Sequence, residues 1–272
     1  ANSHASGSVR IFDPGLPLVR DFLIDTVVEF LDRYDADAIH FDDYFYADLG
    51  NSSNIVLEPD QSTYLTYKPS HYGANSNIDK ANWRREQIDI FIRDLYSAMR
   101  SLNIEQSRFV QLGISPTGIY RNGNAGAEGG ALNYDANGNF ITTGSNTAGY
   151  AHYGAPLYAD TKKWIEEEWI DYILPQSYWS FEQTAASFAD VMDWWANVVR
   201  YTNVNLYSGM GIYMDSFSWG SNPQESANQV LYTSKHPEIQ GHAVYRYGHM
   251  KAAMNPNNSK HAGLETIRTD YW

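Results

Sequence analysis

The sequence predicts a parallel α/β protein of the (β/α)8 barrel class. Short apolar segments typical of buried strands alternate with amphipathic helices, the long polar loops follow strands, and the turns from helix to strand are short. The pattern contains five strand–helix units, whereas a complete barrel needs eight. Either the first units of the barrel have been removed from this chain or they are hidden in its loops, and we favour the first explanation.

The first predicted unit is a helix over residues 18–34 followed by a strand over 38–41. Pro17 suits the first turn of a helix, and an apolar stripe runs through the segment. The stripe consists of Leu18, Phe22, Ile24, Val28, Phe30 and Leu31. A polar loop over 46–82 follows the strand, and loops of this length are uncommon unless they carry function.

The later units repeat this order. The predicted helices cover residues 83–102, 158–169, 181–200 and 222–234, and the predicted strands cover 109–114, 172–174, 205–211 and 241–245. Residues 1–10 resemble a linker or a cut end, and 1–272 are expected to form a single barrel domain. Trp194 and Trp195 lie within a helix, which favours the core over a binding surface.

Composition excludes several classes of function. The formal charge is −13, with 32 acidic against 19 basic residues, so nucleic acid and anionic membranes are disfavoured as partners. The chain has no cysteine, which excludes disulfides, a thiolate nucleophile and a cysteine-ligated zinc. No apolar run reaches the length of a membrane span, and no metal or cofactor motif occurs, so none is expected. The 21 Tyr and 8 Trp leave rings available for stacking on sugars.

Two adjacent carboxylates, Asp42 and Asp43, stand where the first strand should end. In parallel α/β proteins chemistry lies at the carboxyl ends of strands, and acids beside tyrosines favour proton transfer on a sugar. Because strand side chains alternate, His40, Asp42 and Tyr44 share one face. If Phe41 packs outward against the helices, His40 and Asp42 point into the mouth of the barrel.

A glycosidase needs two carboxyl groups. Asp42 is the predicted principal catalytic residue, and Asp43 is either its partner or a group that orients His40 or a loop. Other candidates for the second acid are Asp215, Glu128 and an acid in a missing segment. Carboxyl groups about 5 Å apart indicate a retaining mechanism, and a separation of roughly 6.5–9.5 Å indicates an inverting one. The structural alternative is that one of the acids caps the following loop.

Polar and aromatic side chains at other strand ends are candidates for substrate binding. Arg121 and Asn122 follow the second strand, where a guanidinium could grip a carboxylate, although an ion pair with a neighbouring acid is the alternative. After the third strand, Gln176, Tyr178 and Trp179 would form hydrogen bonds with sugar hydroxyls and stack on a sugar ring. The alternative is that they only pack against one another at the mouth of the barrel. The predicted substrate-binding residues are His40, Tyr44, Tyr46, Arg121, Asn122, Gln176, Tyr178, Trp179, Asp215 and Arg246.

Five sequence blocks together resemble the tenth family of glycoside-hydrolase-like proteins. They are FDPGLPLVR at 12–20, HFDDYFY at 40–46, GISPTGIYRN at 113–122, YADTKKW at 158–164 and WIDYILPQSYW at 169–179. The resemblance implies a (β/α)8 barrel, an extracytoplasmic bacterial setting and glycoside hydrolysis, with a relative that cleaves peptidoglycan strands stripped of their peptides. Thr117 replaces an aromatic residue of the family pattern and Ala38 a glycine, and the family's first three strands have no counterpart here.

The acidic segment over 37–44 is also similar to a strand of family-eighteen chitinases. In those enzymes the acetamido group of the substrate is the nucleophile and a final Glu is the acid. Here Tyr44 takes the position of that acid and His40 that of a middle Asp, whereas Asp42 matches the residue that orients the acetamido group. The chitinase mechanism therefore cannot apply unchanged, but substrate assistance remains open for a substrate with N-acetyl groups.

These observations predict a glycosidase that acts outside the cytoplasm on a bacterial glycan containing N-acetylhexosamine, in particular peptidoglycan strands, without a cofactor. The alternatives are a non-catalytic carbohydrate-binding barrel and a hydrolase of another polysaccharide, since fold does not fix substrate. The distance from Asp42 to the nearest carboxyl group in the barrel mouth discriminates between catalysis and binding alone.

Overall fold

A computed structural model of the protein describes residues 2–6, 8–50, 53–123, 143–214, 219 and 221–271. The chain forms two compact units. The first consists of Ala1–Gly113 and His152–Asp171, and the second consists of Ile114–Ala151 and Tyr172–Trp272.

Five of the described strands belong to a parallel sheet in the order β3-β4-β5-β6-β7. They are β3 Ala38–Phe41, β4 Gln111–Ile114, β5 Tyr172–Ile173, β6 Asn205–Met210 and β7 Ile239–Val244. Each of them overlaps a predicted strand, which confirms the parallel α/β class. Closure of the sheet into a (β/α)8 barrel stays a prediction.

The described part of the chain contains eight α-helices. They are α1 Pro17–Arg33, α2 Gln61–Tyr67, α3 Asn77–Glu105, α4 Thr161–Glu166, α5 Phe188–Val199, α6 Glu225–Thr233, α7 Tyr247–Ala253 and α8 His261–Asp270. The predicted helices correspond to α1, α3, α4, α5 and α6. Among the described helices, none combines the length and the hydropathy needed to cross a membrane.

Residues 1–10, expected to be a linker, contribute to an antiparallel hairpin. Strand β1 Ser3–Ser6 pairs with strand β2 Val9–Phe12. His4 Nε2 lies 2.8 Å from Asp13 Oδ2, which ties the hairpin to the segment before α1. The two strands are short and mixed in polarity, so no alternating pattern is visible in the sequence.

Helix α1 buries fewer apolar residues than its stripe predicts. Leu31 is buried, but Leu18 and Phe22 are 69% and 54% exposed. The buried face instead carries Arg20, whose guanidinium donates to the Pro14 carbonyl at 2.7 Å. The apolar spacing therefore predicted the helix correctly, but it predicted the buried face only in part.

Helix α3 supplies much of the core of the first unit. Its N-terminus is capped by Ser76, whose side chain accepts a hydrogen bond from Asp79 N at 3.1 Å. Its buried apolar face consists of Trp83, Ile88, Phe91, Ile92, Leu95, Met99 and Leu102. The same helix also buries two cationic side chains, Lys80 and Arg84, which are 0% and 1% exposed.

The segment before α1 requires glycine at position 15. The buried Asp13 accepts hydrogen bonds from Gly15 N at 2.9 Å and from Thr63 Oγ1 at 2.7 Å. A Cβ atom on Gly15 would overlap the buried Trp83 ring and lie 2.9 Å from Asp13 Oδ1.

We expect Gly15→Ala to lower the free energy of unfolding by about 1–3 kcal/mol, as overpacking does. Denaturant titration beside Gly154→Ala measures this loss, because no atom lies within 4 Å of the Cβ position at Gly154. Equal stability of the two variants would contradict the expectation.

Helix α5 packs in the core of the second unit. Trp194 and Trp195 are both fully buried, and Trp195 Nε1 donates to the Gly118 carbonyl at 2.7 Å. This confirms the core position predicted for the two tryptophans. Strand β6 pairs in parallel with β5 on one side and with β7 on the other, with Tyr172 opposite Asn205 in the first pair.

Candidate active site

Strand β3 sends alternate side chains to opposite sides. Phe41 packs against α3, with its ring centroid 5.9 Å from that of Phe91 in an edge-to-face arrangement. Packing of Phe41 against a helix is the condition on which the predicted orientation of His40 and Asp42 depends. Because neighbouring strand residues alternate, His40 and Asp42 lie on the side away from that contact, and both are exposed.

The two adjacent carboxyl groups differ in their surroundings. Asp43 is only 9% exposed, whereas Asp42 before it is exposed and Tyr44 after it is 76% exposed. The pair therefore does not present two acids side by side at the surface. A catalytic role for Asp43 stays a prediction, and its burial favours the alternative in which it orients the loop.

His40 and Asp42 are the predicted site residues that the first unit brings together. Partial burial lowers the pKa of His40, and the negative charge of Asp42 opposes that shift only in part. His40 is therefore mainly neutral at pH 7. A neutral imidazole carries one N–H donor and one acceptor nitrogen, so it can orient a carboxylate or exchange a proton with a bound substrate.

The segment after the two acids is anchored in the core. The Phe45 ring packs edge-to-face on Trp164, with centroids 5.1 Å apart. Tyr46 is 1% exposed, and its hydroxyl donates to Asp60 Oδ2 at 2.8 Å. Tyr46 was predicted to bind substrate, but the structure places its ring in the interior, where it holds the acidic segment in position.

Asp60 belongs to a buried ion network. Arg84 donates to both carboxylate oxygens of Asp60, at 2.8 and 2.6 Å, and also lies 2.6 Å from Glu58. Lys80 Nζ lies 2.7 Å from Asp60 Oδ1. Burial alone would raise the pKa of Asp60, but the hydrogen bonds from Arg84 and Lys80 outweigh it and hold that pKa below its ordinary value.

The network balances two cations against two anions in a region where each member is at most 5% exposed. Its members are Glu58, Asp60, Lys80 and Arg84. The apolar pattern of the sequence does not point to it. The available signal was the spacing of Lys80 and Arg84 four residues apart near the start of a helix, which puts both on one face.

In the second unit, two predicted substrate-binding side chains tie loops together. Asn122 Oδ1 accepts hydrogen bonds from Thr147 Oγ1 and Gly149 N, both at 3.0 Å, and Asn122 Nδ2 donates to the Gly149 carbonyl at 2.9 Å. Gln176 Nε2 donates to the Ser115 carbonyl at 3.0 Å. These bonds fix the loops after β4 and β5, and substrate binding by Asn122 and Gln176 stays a prediction.

The other predicted residues occupy separate positions. Arg121 and Arg246 are exposed after β4 and β7, and Trp179 is half-buried after β5. Asp215 and Glu128 lie outside the described residues. Within the described ranges, no three His, Asp or Glu side chains are grouped closely enough to hold a metal ion.

Three tyrosines that follow β5, β6 and β7 form a cluster. They are Tyr178, Tyr213 and Tyr245, and their ring centroids are 5.8 to 6.0 Å apart. Only Tyr178 was among the predicted site residues. The signal for the other two was present, because a tyrosine ends or closely follows each of three successive predicted strands.

Known proteins resemble this chain over most of its length. The chain matches the glycosyl hydrolase-like 10 family over residues 1–226. It is 34% identical over 241 residues to glycosyl hydrolase YngK of Bacillus subtilis (strain 168), which covers 87% of this chain and 42% of that protein. It is 33% identical over 251 residues to glycosyl hydrolase DigH of Escherichia coli (strain K12), which covers 89% of this chain and 50% of that protein. The chain thus spans about half the length of the curated relatives it matches.

Proposed function

The chain belongs to the glycosyl hydrolase-like 10 family, and from this premise we propose that it is a glycoside hydrolase in which Asp42 is the principal catalytic carboxylate. The observation that carries the proposal is the position of Asp42. It follows the end of a parallel strand, is exposed, and lies on the side opposite the contact between Phe41 and α3. Carboxyl ends of parallel strands are where α/β proteins place their chemistry.

The chemistry proposed for Asp42 is stabilisation of the sugar as its glycosidic bond breaks. A general acid gives a proton to the glycosidic oxygen as its bond to the anomeric carbon breaks, water supplies the new hydroxyl at that carbon, and the proton that the water loses replaces the one that the acid gave. A carboxylate at Asp42 would stabilise the positive charge on the sugar, or orient an acetamido group that attacks the anomeric carbon. His40, mainly neutral and within the electrostatic influence of Asp42, would hold that carboxylate in position.

The proposed substrate is a bacterial glycan that contains N-acetylhexosamine, such as peptidoglycan strands without peptides, and the proposed location is outside the cytoplasm. The sequence position of Asp42 supports this substrate, because it resembles that of the acetamido-orienting residue in family-eighteen chitinases. The names of the relatives, glycosyl hydrolases, support glycoside hydrolysis but specify no sugar.

Incubation with peptide-free glycan strands tests the proposal. We expect new reducing ends, and shortened fragments by mass spectrometry. We expect reducing ends to be released more slowly from cellulose oligosaccharides, whose sugars have the same ring but no acetamido group. Cleavage of both substrates at equal rates would contradict the N-acetylhexosamine preference. If neither substrate is cleaved, the proposal of hydrolysis is contradicted.

A second candidate function is carbohydrate binding without catalysis. The observation that favours it is the burial of Asp43, which removes the adjacent acid as an obvious partner for Asp42. Binding of the glycan strands without release of reducing ends would support this alternative.

A further inference from the structure

Four aromatic side chains of the second unit take no part in the chemistry assigned to Asp42. The rings of Tyr178 and Tyr245 are nearly parallel, with an interplanar angle of 24° and centroids 6.0 Å apart. Tyr213 stands almost perpendicular to both, at 88° and 76°, with its centroid 5.9 and 5.8 Å from theirs. The His249 ring lies 5.8 Å from Tyr213. We call these four side chains the aromatic platform.

The backbone of the sheet positions the platform. A Cβ atom on Gly211 would lie 2.8 Å from both Cβ and Cγ of Tyr178, so the Tyr178 ring rests directly on the backbone after β6. Tyr245 N donates to the Met210 carbonyl at 2.8 Å, which joins the residue after β7 to the end of β6. Rings fixed in this way lose little conformational entropy when a ligand binds.

The platform is open to solvent at the edge of the sheet where ligands bind. Tyr245 is 50% exposed and Tyr213 is 36% exposed. Both follow parallel strands at their carboxyl ends, which is the usual location of binding sites in α/β proteins. Exposed apolar patches on proteins often mark ligand-binding sites.

The chemistry of the rings selects the ligand. The face of a tyrosine ring is negative, and the C–H bonds on the flat face of a pyranose present positive hydrogen atoms to it. The tyrosine hydroxyls and the exposed Arg246 beside Tyr245 supply polar partners for sugar hydroxyls. Nucleic-acid bases also stack on tyrosine, but a protein of net charge −13 repels their phosphates.

We propose that the aromatic platform is a sugar-stacking subsite, in which the Tyr245 ring stacks on the flat face of an N-acetylhexosamine ring and Tyr213, at 76° to Tyr245, contacts the edge of the same sugar. The identity of this sugar rests on the proposed function. A hydrolase of glycan chains must hold sugar rings beyond the one that reacts, so a subsite of this kind is expected. Catalysis and stacking are separate properties, so they can be tested separately.

Titration calorimetry with chitotetraose, a soluble tetramer of N-acetylglucosamine, tests the subsite. Asp42→Asn serves as the parent, so that cleavage during the measurement is slow. We expect Tyr245→Ala and Tyr213→Ala each to raise Kd roughly tenfold, and Tyr245→Phe, which keeps the ring, to leave it within about twofold. Tyr201→Ala is the matched control, because Tyr201 is 93% exposed but precedes β6 instead of following a strand.

Several outcomes would overturn the subsite. They are unchanged Kd values in both alanine variants, an equal loss in Tyr245→Phe and Tyr245→Ala, or no binding of chitotetraose to the parent. Thermal unfolding of each variant shows whether it is folded, and substitution of the same tyrosine by Leu, which removes the aromatic ring but keeps apolar volume, replaces any alanine variant that is not. Release of reducing ends by the wild-type protein is measured in parallel. Binding through the platform without such release would contradict the proposed hydrolysis and leave the subsite supported.

Discussion

Replacing Asp42 by Asn is expected to lower kcat/KM on peptide-free glycan strands by about 10²–10⁴-fold, the usual contribution of a positioned acid, base or nucleophile. The amide has nearly the shape of the carboxylate but carries no negative charge, so it cannot stabilise the positive charge that develops on the sugar. Because Asp42 is exposed, the free energy of unfolding should change by no more than about 0.5 kcal/mol. Initial rates of reducing-end release and thermal unfolding measure the two quantities.

The matched control for this substitution is Asp37→Asn. Asp37 is also exposed and lies just before the same strand, at its amino end, where no chemistry is proposed. We expect it to keep wild-type activity. Equal rates for wild type and Asp42→Asn would remove Asp42 from the mechanism, whereas a large fall in melting temperature would assign it a structural role.

Replacing Asp60 by Asn is expected to lower the free energy of unfolding by about 3–5 kcal/mol. The carboxylate of Asp60 pairs with both Lys80 and Arg84, and all three side chains are at most 1% exposed. Its loss leaves two buried cations with Glu58 as the remaining anion of the network, and an uncompensated charge in the interior is costly. Denaturant titration measures the change.

Two further variants isolate the cause. Asp60→Asn combined with Lys80→Met removes one charge of each sign, so we expect the double variant to be more stable than Asp60→Asn alone. Glu29→Gln breaks an ion pair with Arg33 whose partners are 61% and 67% exposed, and it should cost about 0–1 kcal/mol. A cost for Asp60→Asn as small as that of Glu29→Gln would show that the buried network contributes little to stability.

The ion network also connects stability with the candidate active site. The Tyr46 hydroxyl bonds Asp60, and Tyr46 lies four residues after Asp42. Loss of Asp60 therefore releases one of the two anchors of the acidic segment, while the contact of Phe45 with Trp164 remains. This arrangement explains how part of the segment between β3 and α3 is anchored in the core.

Local sequence patterns were sufficient for much of the fold. Alternation and helical spacing are properties of residues close together in the chain, so they revealed the five parallel strands and the helices α1, α3, α4, α5 and α6. They did not reveal the hairpin of β1 and β2, whose strands are too short to show a period. They predicted the buried face of α1 only in part, because apolar spacing shows that a helix is amphipathic but not which of its residues a neighbouring element covers.

Some features of the candidate site could likewise be predicted from the sequence, and others required the folded structure. The order of residues around 40–46 was enough to place an acid at the end of a strand, and five such blocks together revealed the family resemblance, because both are encoded in neighbouring positions. The burial of Asp43 and the meeting of Tyr178, Tyr213 and Tyr245 required the folded chain. Burial depends on what packs around a group, and parallel strands bring their carboxyl ends to one edge of the sheet however far apart they lie in the sequence.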